Sequence, residues 1–343
     1  MTSSPCAAPA PWWRRHGRLL CLAAGCALLG IMVWAAGPRQ LAHHLLSLRW
    51  WLLATVAVWG VAYVLNAAAW GLIVGTYPLR RPLSALRLLR LTVTGFAINY
   101  VTPFGLLGGE PYRIVALRRH LGVEAATASV VLYLMMHVTS HLVFWIAACL
   151  LAALTLPGLD GPTAALLGLV ALACLAGLGL FLRGYRRGAV RSAVRLAARI
   201  PWVGRSVEGW RRCHEAGLER IDRGIAALLG RHPARFVGSL ALEVAARVVC
   251  CAEVWLLMLA LGAPIAPGDA LLVVALSSLL ANLLFFTPLQ LGTREGGILL
   301  ALGLVLPDVP LALLMPLAVT VSLATRIREF AWIAVGLASF AKK

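Results

Sequence analysis

The chain has 343 residues, of which 61% are hydrophobic and only 13% are charged. Apolar runs of roughly 20 residues exclude an ordinary soluble domain and indicate a helical membrane protein. The formal charge of +18 comes from arginines between these runs, which is typical of cytoplasmic loops facing anionic lipid, so we expect no nucleic-acid partner.

The first predicted elements are two spans and a hairpin. An apolar helix over about Leu19–Ala36 follows three arginines, and we interpret it as an uncleaved first helix with a cytoplasmic N-terminus. A second helix over about Trp50–Thr76 returns to the cytoplasm. Ser84–Val101 and Glu110–His120 have arginines at both ends, which predicts a re-entrant hairpin that enters from the cytoplasm.

A long helix and a basic segment follow. The helix, over about Ala125–Leu156, ends in a turn without basic residues, which places that turn outside. Thr163–Leu182 leads back to residues 183–235, predicted to form cytoplasmic basic amphipathic helices. The polar stripe of the first of these comprises Arg187, Arg191, Arg195 and Arg199. Two interpretations stay open: a solvated linker, or a surface that contacts anionic lipid.

The last predicted elements mirror the first set. A helix over about Phe236–Leu261 leads outward, and a second hairpin joins Ala270–Phe286 to Ile298–Leu306. The hairpin is alternatively two full spans, with the same net topology. A last helix over about Leu311–Phe340 runs inward to a cytoplasmic C-terminus.

These elements define the predicted fold class. It is all-α: one polytopic helical membrane domain, residues 1–343, with about six full spans and two oppositely oriented re-entrant, broken-helix hairpins. Helix, hairpin and helix recur in residues 50–156 and 236–340 with opposite orientation, which predicts an inverted repeat.

Each predicted hairpin contains a copy of one short motif. Thr102–Glu110 and Thr287–Glu295 place Thr, Pro, Leu and Glu at the same offsets, and an asparagine precedes each copy. Proline and glycine break helices, and a broken helix in each half of a membrane chain points to a transporter binding site.

The two motif copies supply groups that suit a phosphate. Helix N-termini offer free amide donors and a partial positive charge, and arginines add direct contacts. The predicted substrate-binding residues are Asn99, Gly108, Gly109, Glu110, Arg113, Asn282, Gly292, Arg294, Glu295 and Arg326. The competing interpretation is that each glutamate caps its own helix while the glycines allow close packing. We favour binding because the motif occurs twice.

Further polar residues lie inside predicted spans. Arg326 shares a face of the last helix with Ser322 and Glu329, and a mid-span charge costs about 2.5–3.5 kcal/mol, so Arg326 should line a cavity. An intrahelical ion pair is favoured slightly for Glu243 and Arg247. Polar packing is favoured over a proton relay for two histidines one turn apart. The predicted structural or coupling residues are Glu243, Arg247, Glu329, His137 and His141.

The sequence lacks hydrolase signatures, a Walker loop and metal-binding patterns, and its eight cysteines form no framework. We therefore expect no metal, no cofactor and no enzymatic activity.

The motifs also resemble those of a known family. Gly109 to Arg113, followed by Gly122 and a long helix, resembles the first signature of the lysylphosphatidylglycerol synthase transmembrane-region family, the flippase domain of bacterial lipid aminoacylation proteins. Pro288–Glu295, with Arg326 in the closing helix, is similar to the second. The sequence departs from the pattern at Gln290, where the family tends to have glycine. The resemblance implies a free-standing member without the aminoacyl-transferase domain, so only the membrane half carries over.

Motifs and resemblance together predict a lipid translocator of the bacterial inner membrane. An anionic or phosphate-bearing headgroup is expected to bind at the midplane between the two hairpin tips. Membrane lipids are the expected partners, and a homo-oligomer is possible. Two alternatives stay open: a membrane-embedded lipid-modifying enzyme, or a non-transporting accessory factor of lipid or envelope biosynthesis.

Overall fold

The computed structural model describes residues 27, 30–101, 108–156, 160–199, 204–284 and 290–341. These residues form helices joined by short turns, and no strand occurs among them, which confirms the all-α prediction. The helices in chain order are α1 (Pro38–Val74), α2 (Ala85–Val101), α3 (Gly109–Leu121), α4 (Val123–Thr155), α5 (Gly161–Arg187), α6 (Ala189–Ala197), α7 (Gly204–Arg231), α8 (Pro233–Ala260), α9 (Pro267–Leu283), α10 (Thr293–Val305) and α11 (Leu311–Ala341).

Four helices are long and apolar enough to cross a membrane. They are α1, α4, residues Gly161–Tyr185 of α5, and α11, so the chain is a multi-pass membrane protein. The predicted first helix lies largely outside the described residues. The six-span count and the cytoplasmic termini stay predictions.

α1 consists of two helical parts merged across a break at Arg49, where φ is 21° and ψ is −101°. The part after the break begins at Trp50, as predicted, whereas the helical part that begins at Pro38 was not predicted. Leu41 and Leu48 lie on one face of the added segment and are buried, which favours a helix there. Proline is tolerated at the first position of a helix because its missing N–H would have no partner in the helix.

The chain divides into two compact units. Unit 1 comprises Met1–Arg49 and Leu257–Ala324, and unit 2 comprises Trp50–Leu256 and Thr325–Lys343. Within unit 1, α9 packs closely against α10, because a Cβ added to Gly297 would lie 3.0 Å from the Cα of Ser277. The first hairpin therefore belongs to unit 2 and the second to unit 1.

Unit 2 is built around a large apolar core. Trp70 of α1, Tyr133 and Met136 of α4 and Tyr185 of α5 are among its buried members. The arms of the first hairpin touch directly, because a Cβ added to Gly109 of α3 would collide with the backbone of Gly95 in α2.

Buried Asp222 fixes α6 to α7. Its carboxylate accepts hydrogen bonds from the backbone N–H of Val190 at 2.9 Å and of Arg191 at 3.1 Å. The Nε of Arg191 donates to the same carboxylate at 3.1 Å. α6 contains only Arg191 and Arg195 of the four predicted stripe arginines, because α5 continues to Arg187 and Arg199 follows the end of α6. Arg191 forms an ion pair with Asp222 of α7. The amphipathic, cytoplasmic character of this segment stays a prediction.

Candidate functional site

The described part of the first hairpin tip brings the predicted residues together. Asn99, near the end of α2, donates from Nδ2 to Oε1 of Glu110 at 3.1 Å. Its Oδ1 accepts the backbone N–H of Gly109 at 2.6 Å. Gly108, at the N-cap position, has no side chain to supply such a bond, so Asn99 caps α3 from the preceding helix. Thr102 and Pro103 lie outside the described residues.

Arg113 lies one turn after Glu110 and is only 6% exposed. Its Nη1 is 3.5 Å from Glu110 Oε1, and its Nη2 donates to the carbonyl oxygen of Thr92 at 3.1 Å. The guanidinium carbon lies 5.7 Å and 5.4 Å from the ring centroids of Trp70 and Tyr133, within cation–π range. Aromatic rings therefore surround a charged pair inside unit 2.

This pair is not fully satisfied by protein groups. Glu110 Oε2 and Arg113 Nε are buried and have no hydrogen-bond partner in the described part of the chain. A buried polar atom without a partner is costly, on the order of 1–3 kcal/mol in proteins, so both atoms favour a polar partner. One is an acceptor and the other a donor.

The second tip, in unit 1, is organised differently. Glu295 is fully buried and accepts the backbone N–H of Gly292 at 2.8 Å and the hydroxyl of Ser322 at 2.7 Å. Arg294 donates from Nη2 to Oε1 of Gln290 at 3.1 Å. The competing interpretation of the sequence, a glutamate that caps its own helix, therefore describes Glu295. Thr287 and Pro288 lie outside the described residues.

The two asparagines have different roles. Asn282 is exposed and donates to the carbonyl oxygen of Ser278, one turn earlier in α9. Asn99 instead bonds its tip directly. The repeated sequence pattern thus does not give two equivalent tips. The expectation that the tips form one midplane site stays a prediction, because each tip belongs to a different unit.

Glu243 and Arg247 of α8 bond to α4 rather than to each other, which corrects the predicted intrahelical ion pair. Glu243 Oε2 lies 2.8 Å from Nδ1 of His137. Arg247 donates from Nε to the hydroxyl of Ser140 at 2.7 Å and from Nη2 to the carbonyl oxygen of His137 at 2.8 Å. His141 packs its ring 5.4 Å from that of His137, centroid to centroid. Glu243 and Arg247 do not pair with each other because each finds its partners on α4, across the contact between the two helices.

A second buried ion pair, not predicted from the sequence, joins α8 to α11. Arg328 donates to both carboxylate oxygens of Glu253 at 2.9 Å, and both residues are 3% exposed. The indole of Trp59 donates to Glu253 Oε2 at 2.7 Å, and the Arg328 guanidinium carbon lies 3.7 Å from the centroid of the same ring. The signal available in the sequence was the pair of charges inside two apolar helices.

In α11, Arg328 is buried and Arg326 is half-buried. The predicted place of Arg326 in a cavity stays a prediction. Glu329 is buried, accepts the hydroxyl of Tyr100, and has its Oε1 3.8 Å from Arg328 Nη1. Glu329 therefore contacts both Tyr100 of α2 and Arg328 of its own helix.

The described interior of unit 2 combines acidic and guanidinium groups in three clusters. The buried or largely buried members of these three clusters are the carboxyl groups of Glu110, Glu243, Glu253 and Glu329 and the guanidinium groups of Arg113, Arg247 and Arg328. Such a concentration of charge in apolar helices is expensive and typical of functional sites in membrane proteins. Among the described residues, no group of three or more His, Cys, Asp or Glu side chains could hold a metal ion.

Comparisons with known proteins identify the family. The family model described as the lysylphosphatidylglycerol synthase TM region matches residues 20–331. Searches of curated proteins and of solved structures found no match. The family match covers all the clusters described above and most of the chain. The chain therefore belongs to the lysylphosphatidylglycerol synthase transmembrane-region family.

Proposed function

We propose that the protein is a lipid translocator of the bacterial inner membrane and not an enzyme. An anionic, phosphate-bearing headgroup would bind at the first hairpin tip, in unit 2. The observation that carries this proposal is the Glu110–Arg113 pair, which is buried among aromatic rings with one donor and one acceptor unpartnered. Membership of a family of membrane regions associated with a phospholipid synthase supports a lipid substrate.

The chemistry of Arg113 favours a phosphate. Its Nη atoms contact Glu110 and Thr92, which hold the side chain in place, while Nε, which lies against Gly95, has no hydrogen-bond partner in the described residues. Arginine bonds phosphate oxygens with charge-assisted hydrogen bonds, which are roughly twice as strong as neutral ones. Glu110 Oε2 would accept a hydroxyl or ammonium group of the same headgroup.

Helix α1 adds a polar face to the same unit. Tyr63, Asn66 and Trp70 lie on one side of α1, and the buried Tyr63 hydroxyl, Asn66 Oδ1 and Trp70 Nε1 have no partner in the described residues. Trp70 stacks on Tyr133, and Arg113 lies within cation–π range of both rings. This face would guide the polar headgroup while the acyl chains remain in the lipid.

Helix length supports re-entrant hairpins. At 1.5 Å per residue, the 13 residues of α3 and of α10 extend only about 20 Å each, less than the roughly 30 Å hydrocarbon layer. In the proposed arrangement both hairpins therefore turn within the membrane, the termini are cytoplasmic, and the chain makes about six full spans.

Transport of labelled lipid in proteoliposomes tests the proposal. Fluorescent phosphatidylglycerol is incorporated, and its movement between leaflets is measured by dithionite quenching. Arg113→Gln and Glu110→Gln should each slow transport at least about tenfold, the effect of losing one charged hydrogen bond. Arg118→Gln, an exposed arginine on the same helix, is the matched control and should leave the rate unchanged.

Two results would refute the proposal. Equal rates for wild type, Arg113→Gln and empty liposomes would exclude translocation of this lipid class at this tip. A new lipid species in extracts of expressing cells, detected by mass spectrometry, would instead favour a lipid-modifying enzyme.

A further inference from the structure

The contact between α4 and α8 holds a titratable pair that headgroup binding does not require. His137 Nδ1 lies 2.8 Å from Glu243 Oε2. The glutamate side chain is 1% exposed, whereas 39% of the histidine side chain is accessible. The second carboxylate oxygen, Glu243 Oε1, is buried and has no partner in the described residues. The pair thus joins an accessible ring to an incompletely satisfied buried acid.

Among the described neighbours, no further charged side chain contacts Glu243 directly. On α8, Arg247 bonds to Ser140 and to the carbonyl oxygen of His137, rather than to Glu243. On α4, the rings of Tyr133 and His141 flank His137 at centroid distances of 6.3 Å and 5.4 Å.

More distant titratable groups interact electrostatically with Tyr133 and Arg247, the neighbours of the pair. Glu110 and Arg113 of α3 and Tyr63 of α1 interact electrostatically with Tyr133, and Cys250 of α8 interacts with Arg247. His141 Nδ1 is buried without a partner in the described residues, so its ring offers no hydrogen bond from that atom to His137. His137 is therefore the titratable group that bonds Glu243 directly.

Burial of Glu243 assigns a role to the pair. Its side chain is 1% exposed, and Arg247 acts on it electrostatically without contacting it. A buried carboxylate without a counter-charge is strongly destabilising. One proton on His137 makes an imidazolium that donates directly to Glu243 and balances the charge of its carboxylate.

We infer that His137 and Glu243 bind one exchangeable proton, and that this proton couples lipid movement to the proton gradient. With the proton bound, an ion pair holds α4 against α8. After the proton leaves, the neutral imidazole retains a single N–H, so the ion pair is lost and at most an uncharged hydrogen bond to the carboxylate remains beside the bonds of Arg247. Protonation therefore biases the α4–α8 contact between a tight and a loosened state. The inference rests on the proposed lipid transport.

Proteoliposomes that report lipid and proton movement together test it. Vesicles contain fluorescent phosphatidylglycerol in the bilayer and a pH-sensitive dye in the lumen, and a pH difference of one unit is imposed in each direction. For one proton per cycle, this difference biases transport by up to about tenfold. Wild type should show this dependence on the gradient and a matching proton flux, which His137→Gln and Glu243→Gln should both lose.

His214→Gln, an exposed histidine on α7, is the matched control and should keep both responses. The Gln variants retain hydrogen-bonding groups of similar size, and thermal unfolding in detergent verifies that they are folded. Lipid movement without dependence on the gradient would overturn the inference and leave the proposed function standing. Proton flux that requires His137, without lipid movement, would uphold the proton site and refute the proposed function. Absence of both movements would refute both.

Discussion

Replacing Arg328 with methionine measures how strongly the buried charges of α8 and α11 depend on one another. The arginine makes two hydrogen bonds of 2.9 Å to Glu253, and neither residue is appreciably exposed. Its removal leaves a buried carboxylate with the Trp59 indole as its remaining donor. Breaking a buried pair in this way costs about 3–5 kcal/mol. We expect the apparent Tm in detergent to fall by on the order of 10 °C.

A double-mutant cycle separates loss of the pair from loss of packing. Glu253→Gln removes the charge and keeps the shape, so the double variant Arg328→Met, Glu253→Gln should recover a large part of the lost stability. Arg220→Met is the control, because Arg220 pairs with Glu124 at 2.7 Å on the surface, where ion pairs contribute little. A Tm for Arg328→Met equal to that of Arg220→Met, or a double variant no more stable than the single one, would contradict the reasoning.

Three further predictions concern other parts of the chain. Gly109→Ala should destabilise the protein by about 1–3 kcal/mol in a detergent unfolding assay, because the added Cβ would collide with the facing backbone. Gly296→Ala is the control, because open space surrounds Gly296 and the added Cβ should cost nothing there. Equal stability of the two variants would contradict the close contact at Gly109. Asp222→Asn should raise amide hydrogen exchange in residues 189–197, and unchanged protection there would show that α6 does not depend on this carboxylate. Hydrogen bonds from neighbouring arginines lower the pKa of Glu208 from 4.5 to about 2. The stabilisation that these bonds give is therefore present above pH 4.5 and is lost as the pH falls through 2. A carboxyl ¹³C titration of Glu208 with a midpoint near 4.5 would contradict the lowered pKa.

Sequence periodicity predicted the helices well because apolar runs and arginine clusters determine where spans begin and end. The last helix was predicted over 311–340 and is observed over Leu311–Ala341. The helical segment between Pro38 and Arg49 was not predicted. The break that separates it from the rest of α1 depends on one residue with an unusual backbone conformation. Nothing in the composition near Arg49 marks that break.

Side-chain partners were predictable only over short distances in the chain. Asn99 and Glu110, eleven positions apart in sequence, were both selected as site residues and do bond each other. Glu243 was assigned the arginine four residues away, yet it bonds His137 on another helix. The pairing of Glu253 with Arg328 joins two helices far apart in sequence, and helical periodicity gives no information about such contacts.

At position 290, the backbone conformation and the side-chain bonding favour different residues. Its backbone has φ of +53°, a left-handed conformation that costs most residues about 1–2 kcal/mol and glycine very little. Glycine at this position would adopt the same backbone without that cost. The glutamine instead supplies an amide oxygen that receives a hydrogen bond from Arg294. Replacing Gln290 with glycine would therefore relieve the backbone strain and at the same time remove this bond to Arg294.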